Sequence, residues 1–144
     1  MSFATCLWIM IGGALGTLAR YLVSVLALPF SGQLPVGTIF INVTGSFVIG
    51  LFGTLTLASG RYPVSEDLRL FVMIGLCGGY TTFSSFSLQT LDLLRTGAAG
   101  RAAANVGVSV ILCIAAVAAG HLIAAHFNGG ARQIAQTAVE EEAS

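Results

Sequence analysis

Four stretches of this sequence carry no charged side chain, at 1–19, 21–60, 70–91 and 102–131. A helix needs about 20 mostly apolar residues to cross the hydrocarbon core of a bilayer. The stretch 21–60 is too long for one crossing, and Pro29, Ser31, Gly32 and Pro35 divide it. The chain therefore reads as four spans, at 3–28, 36–58, 68–95 and 101–126. The loops between them are short, which leaves room for one all-α four-helix transmembrane bundle over 1–127 and for no separate soluble domain. The polar tail 128–144, closing on Glu140, Glu141 and Glu142, is expected to be mobile.

Composition narrows the function. Apolar residues make up 56% of the chain, which fits no ordinary soluble domain. There is no lysine and the net charge is zero, which argues against nucleic-acid binding. Cys6, Cys77 and Cys113 fall inside predicted spans; they are odd in number and lack metal-ligand spacing, so they read as small apolar fillers. The N-terminus has no basic region, so the first helix reads as a span and not as a cleaved leader. Ser65 is the expected N-cap of the third span, with Glu66 and Asp67 in its first turn. Arg95 and Gly97 mark that span's end.

The arginines are balanced across the membrane. With four spans, Arg61, Arg69 and Arg132 lie on one side, while Arg95, Arg101 and Arg20, the last snorkelling from late in the first span, lie on the other. Orientation normally follows an excess of Lys and Arg on cytoplasmic loops, and here neither side has one. The expectation is dual topology, which permits an antiparallel homodimer. Control of orientation by one loop arginine or by an insertion factor is the alternative.

The densest local signal is Gly75-Leu-Cys-Gly78-Gly79-Tyr-Thr81-Thr82-Phe83-Ser84-Ser85-Phe86-Ser87, in the middle of the third span. Glycine is unfavourable in a helix interior by about 1 kcal/mol relative to alanine. Its concentration here, followed by hydroxyl residues, predicts a broken third helix over 78–82. Non-helical backbone at membrane depth survives only when buried in protein or lining a cavity. Its carbonyls can then coordinate a cation, and a new helix N-terminus can face an anion. Tight packing through small residues is the competing reading. Phe83 and Phe86 lie three apart, about 60° around a helix, and Ser84, Ser85 and Ser87 alternate with them. Electropositive ring edges and hydroxyl donors can hold a small anion without a full positive charge. The second span carries a stripe of Thr38, Asn42, Ser46 and Gly50, and the fourth repeats it with Arg101, Asn105, Ser109 and Cys113. Asn42 is the costliest of these in hydrocarbon and acts either as helix–helix glue or in a wet path. Arg20, near one end of a span, is a functional candidate or an interfacial anchor. His121 and His126 read as interfacial.

Three motifs together resemble the CrcB or Fluc fluoride channel family: Gly12-Gly13-x-x-Gly16-x-x-x-Arg20-Tyr21, Gly37-Thr38-x-x-x-Asn42-x-x-Gly45-Ser46, and the glycine–hydroxyl–phenylalanine run above, with Asn105 and Ser109 in the fourth span. The resemblance covers about residues 11–120 in order. It implies a multi-pass protein of the bacterial inner (plasma) membrane that forms an antiparallel dimer with two pores and lets fluoride leave the cytoplasm, giving fluoride resistance. By position it implies Phe83 and Phe86 as pore phenylalanines, Asn42 as a pore amide donor and Ser109 along the same path, with Arg20 at a vestibule; Thr38, from the stripe on the second span, and Ser84, from the hydroxyls beside the rings, join them as pore candidates. It further implies a structural Na+ at the dimer axis, held by the backbone carbonyls of Gly78 and Thr81. The chain departs from the family pattern at Gln89, where many relatives carry Glu, and at Cys113, where a hydroxyl is common. The tail receives no role.

Two rivals share the architecture. A proton-coupled small multidrug-resistance-type exporter needs a membrane-embedded carboxylate in its first helix, and none is present there. A non-transporting assembly subunit leaves the Phe–Ser array unexplained. An enzyme has no support in any acid–base or nucleophile–base spacing.

Overall fold

The computed structural model describes residues 2–58 and 60–129. Arg132, Glu140 to Glu142 and nearly all of the tail expected to be mobile lie outside the described residues. The elements are α1 (Phe3–Leu26), a 3-10 turn (Leu28–Phe30), α2 (Val36–Leu55), α3 (Glu66–Leu70), a π-helical stretch (Phe71–Cys77), α4 (Gly78–Tyr80), α5 (Phe83–Arg95) and α6 (Ala99–Phe127). They make four helices long and apolar enough to cross a membrane, with the third reaching from Glu66 to Arg95.

Local chemistry sets several of these boundaries. The Ser65 side chain accepts from the Leu68 N–H, and Glu66 and Asp67 occupy the first turn of α3, as expected of an N-cap. Asp67 also accepts from the Thr5 hydroxyl at 2.7 Å, tying α3 to the start of α1. At the far end of the third span Gly97 has φ 77°, a left-handed conformation that favours glycine. Its N–H bonds to Leu94 and that of Ala98 to Leu93, which closes α5 with a paired C-terminal motif.

Lipid tails are as apolar as the helices, so close backbone approach must supply the packing. Glycines make it possible in two places. An added Cβ on Gly75 would sit 2.9 Å from the Ile9 carbonyl, one on Gly79 2.5 Å from the Gly13 carbonyl, and one on Gly16 would overlap the Leu76 carbonyl. Thus α1 lies directly on the backbone of the π-helical stretch and α4. In the second place α2 and α6 pack along most of their lengths, with Gly50 against Val117 and Gly120 against Phe47 and Leu51. Ile41 on α2 and Asn105 on α6 are fully buried.

The C-terminal carbonyls of α2 have no partners within the helix. Arg69 Nη1 donates to the carbonyls of Gly53 and Thr56 and to Thr56 Oγ1, at 3.1, 2.7 and 2.8 Å. Asn128 Nδ2 donates to the carbonyls of Thr54 and Leu55, while its Oδ1 accepts from the Arg61 N–H. Two side chains from distant parts of the chain therefore satisfy four successive carbonyls.

Candidate functional site: two cavities in series

The backbone of the third span leaves helical geometry at two residues. Thr81 has φ −77° and ψ 160°, and Thr82 has φ −155° and ψ 111°; both are extended. Gly78 and Gly79 remain helical. The non-helical backbone is thus narrower than the 78–82 stretch read from the sequence, because these glycines are tied up in helix and, at Gly79, in contact with α1.

Asn42 on α2 faces this point. The Thr82 N–H donates to Asn42 Oδ1 at 2.8 Å, and Asn42 Nδ2 donates to the Thr82 carbonyl at 3.1 Å. Because an amide N–H can only donate, this pairing assigns the carboxamide orientation. Asn42 therefore commits its oxygen and one N–H to the backbone and keeps one N–H for the adjoining cavity. Thr82, itself buried, caps α5 by accepting from the Ser85 N–H at 3.2 Å, and it also bonds the Ser85 and Ser84 hydroxyls.

A cavity of about 310 Å³ opens here, lined by Asn42, Ser46, Thr82, Phe83, Phe86, Ser109 and Cys113 among others. Of the residues singled out in the sequence it gathers Asn42, Phe83, Phe86, Ser109 and Thr81. The Phe83 and Phe86 ring centroids lie 5.4 Å apart, tilted by 43°. Phe83 is 78% exposed in the single chain. Among the described residues no charged side chain lines this cavity. In place of charge it offers the start of α5, whose first N–H groups lack intrahelical carbonyl partners, and phenyl ring edges.

A second cavity, of about 420 Å³, lies towards the loops that join α1 to α2 and α5 to α6. Ser24, Gln33, Thr38, Gln89, Asp92 and Arg101 are among its lining residues. Thr38 therefore belongs to this larger chamber and not to the Phe83–Phe86 cavity, although both sit on one stripe of α2. Gln89 Oε1 is buried without a donor among the described residues; rotating the carboxamide would present its N–H groups in that place. Between the chambers Asn105, fully buried, donates to Thr90 Oγ1 at 2.8 Å and accepts a long bond from Ser109 at 3.5 Å. The stripes on α2 and α6 and one flank of α5 thus run from the larger chamber to the smaller, aromatic one.

Two candidates stand apart. Arg20 lines neither chamber and, among the described residues, bonds to no side chain. Ser84 is exposed and lines neither, bonding only to Thr82. Sequence reasoning missed Arg69 and Asn128 as caps of α2, and it missed the Tyr80 hydroxyl, 3.0 Å from Thr44 Oγ1. These partners are far apart in the chain, and no local spacing marks them.

Gly78 and Thr81 carry the two backbone carbonyls proposed for a cation. Among the described residues no N–H or side-chain donor reaches either one. Gly78 is exposed, and its α-carbon faces open space apart from a distant Met73 carbonyl. Hard, neutral oxygens of this kind suit an alkali or alkaline-earth ion. No cluster of His, Cys, Asp and Glu able to hold a metal occurs among the described residues.

Comparison with known proteins identifies the family of the chain. The family described as "CrcB-like protein, Camphor Resistance (CrcB)" matches residues 7–121. A protein of Methylobacterium radiotolerans named fluoride-specific ion channel FluC is 75% identical over 142 residues, covering 99% of each chain. One of the same name from Gluconobacter oxydans is 74% identical, covering 99% of this chain and 100% of its own. A third, from Methylocella silvestris, is 58% identical over 85% of this chain and 94% of its own.

Proposed function

Because the chain belongs to the CrcB-like family, we propose that it is a fluoride-specific ion channel of the bacterial inner membrane that lets the anion leave the cytoplasm and so confers fluoride resistance. The observation that carries this reading is the Phe83–Phe86 cavity. It is built from two phenyl rings, an amide N–H, hydroxyls and a helix start, with no charged side chain among the described residues. Fluoride is small and strongly hydrated, so a pore must replace water with donors yet release the ion. Neutral donors and ring edges meet both demands better than arginines would. Arg101 at the larger chamber raises the local anion concentration, with Asp92 opposing it. The ion then sheds water among Thr38, Gln89 and Ser109 before reaching the rings. A passive path suffices, because the membrane potential drives an anion outward.

The functional unit in this reading is an antiparallel homodimer of dual topology. A lone chain would expose to lipid the Phe83 ring and Gly78, and it leaves the Gly78 and Thr81 carbonyls without donors among the described residues. Each unsatisfied carbonyl in hydrocarbon costs several kcal/mol. A second copy related by a two-fold axis covers this face, and the balanced arginines allow one gene product to supply both orientations. The Gly78 and Thr81 carbonyls of both copies would then hold Na+ at the axis. When bound, that ion supplies the positive charge that satisfies the four carbonyls and joins the subunits.

Reconstitution tests the channel reading. Liposomes loaded with potassium fluoride should release fluoride when a potassium ionophore opens the counter-ion path, while those loaded with chloride should retain it. Equal release of the two anions, or release of neither, contradicts selective conduction.

A further inference from the structure

We infer that Asn42 is the positioning residue of the cation site, so that one carboxamide sets the backbone on both the anion side and the cation side of the third span. This inference rests on the sodium reading above. In an unbroken α-helix the Thr82 N–H would bond to the Gly78 carbonyl, four residues earlier. In this chain it bonds instead to Asn42 Oδ1, and Gly78 is left with no donor. Asn42 thereby frees the first carbonyl.

The second follows from the peptide plane. The Thr82 N–H and the Thr81 carbonyl belong to the same peptide group, which is trans. In a planar trans peptide these two bonds point in opposite directions. Holding the N–H towards Asn42 therefore turns the Thr81 carbonyl away from that side chain. The return bond from Asn42 Nδ2 to the Thr82 carbonyl fixes the next peptide as well. One side chain on another helix thus acts on both carbonyls, leaving the first without its helical donor and orienting the second. Asn42 touches no cation; it acts through the backbone of Thr81 and Thr82.

The test reads sodium without reading flux. The thermal midpoint of the purified full-length protein is followed as NaCl replaces choline chloride at constant ionic strength. The wild type should be stabilised by sodium. Asn42→Ala should require at least about tenfold more sodium for half of that stabilisation, or about 1.4 kcal/mol. Asn42→Asp keeps an oxygen for the Thr82 N–H and should stay within about threefold of wild type, or about 0.65 kcal/mol. Phe83→Ile alters the rings alone and should leave the sodium response unchanged while fluoride flux falls. In the wild type the Asn42 side-chain amide resonance should shift as sodium is added, a measurement that holds even where the alanine variant does not assemble. A wild-type sodium response in Asn42→Ala, or an amide resonance indifferent to sodium, overturns the positioning role. Absence of any sodium response in the wild type overturns it too, by removing the cation site, whereas retained fluoride selectivity would leave the channel reading standing.

Discussion

The two halves of the third span are built on opposite principles. From Glu66 to Tyr80 the chain lies against α1, backbone on backbone, and Gly75 and Cys77 are buried. From Phe83 to Arg95 not one residue is fully buried, and five of the first eight carry a hydroxyl or an amide. The first half spends its side-chain positions on glycine so that α1 can approach. The second half keeps its side chains for other uses and is held by its Thr82 cap, by Asn105 on Thr90 and by α6. A rigid half thus ends at Thr81–Thr82 and presents the start of a chemically rich half at membrane depth. Scaffold and site share one span, and Asn42 fixes the joint between them.

Damage to the two halves should therefore separate assembly from conduction. Gly16→Val forces a branched side chain into the Leu76 carbonyl, a backbone clash that nothing flexible can relieve. Overpacking of this kind costs about 3 kcal/mol, and the expected outcome is loss of the monodisperse species on size exclusion in detergent. Gly13→Ala is its partner experiment. An added Cβ at Gly13 meets nothing within 4 Å, so the variant should assemble and conduct as wild type. If Gly13→Ala and Gly16→Val behave alike, the backbone contact is not what holds the first half.

In the second half Phe86→Ile removes a ring from the Phe83–Phe86 cavity without changing its neighbours' backbone. Fluoride flux should fall at least about tenfold, or about 1.4 kcal/mol on the barrier, with an unchanged elution profile. Normal flux would return the phenyl pair to packing. Thr82→Val removes the hydroxyl that caps α5, which costs about 1 kcal/mol. It should lower the thermal midpoint modestly and reduce flux as well, because the capped turn is also the cavity wall. Ser65→Ala removes a cap of the same kind from the first half. It should cost about 1 kcal/mol or less and leave flux untouched. A flux defect in Ser65→Ala would erase the distinction between the halves.

The span count, the cap at Ser65 and the stop at Gly97 were legible because each depends on residues next to one another. The extended pair Thr81–Thr82 was visible as a cluster of poor helix formers, but its width was not, since Gly78 and Gly79 stay helical with α1 against Gly79. The π-helical winding of Phe71–Cys77 has no sequence mark of its own and lies where the chain meets the glycine face of α1. The stripe Thr38–Asn42–Ser46 was correctly read as polar, yet its ends serve different chambers. Eight residues of helix rise about 12 Å, enough to leave one cavity and enter another. Asn42's partner lies forty residues away, so its choice between glue and pore could not be made from spacing. Its oxygen and one N–H hold the Thr82 backbone, while the residue also lines the cavity.

The most direct measurement is the reversal potential across a planar bilayer containing the purified protein, with fluoride on one side and chloride on the other. Selective conduction through the aromatic cavity places the current reversal at a potential set by fluoride alone, unmoved when chloride concentration is changed. A reversal that tracks chloride would contradict it.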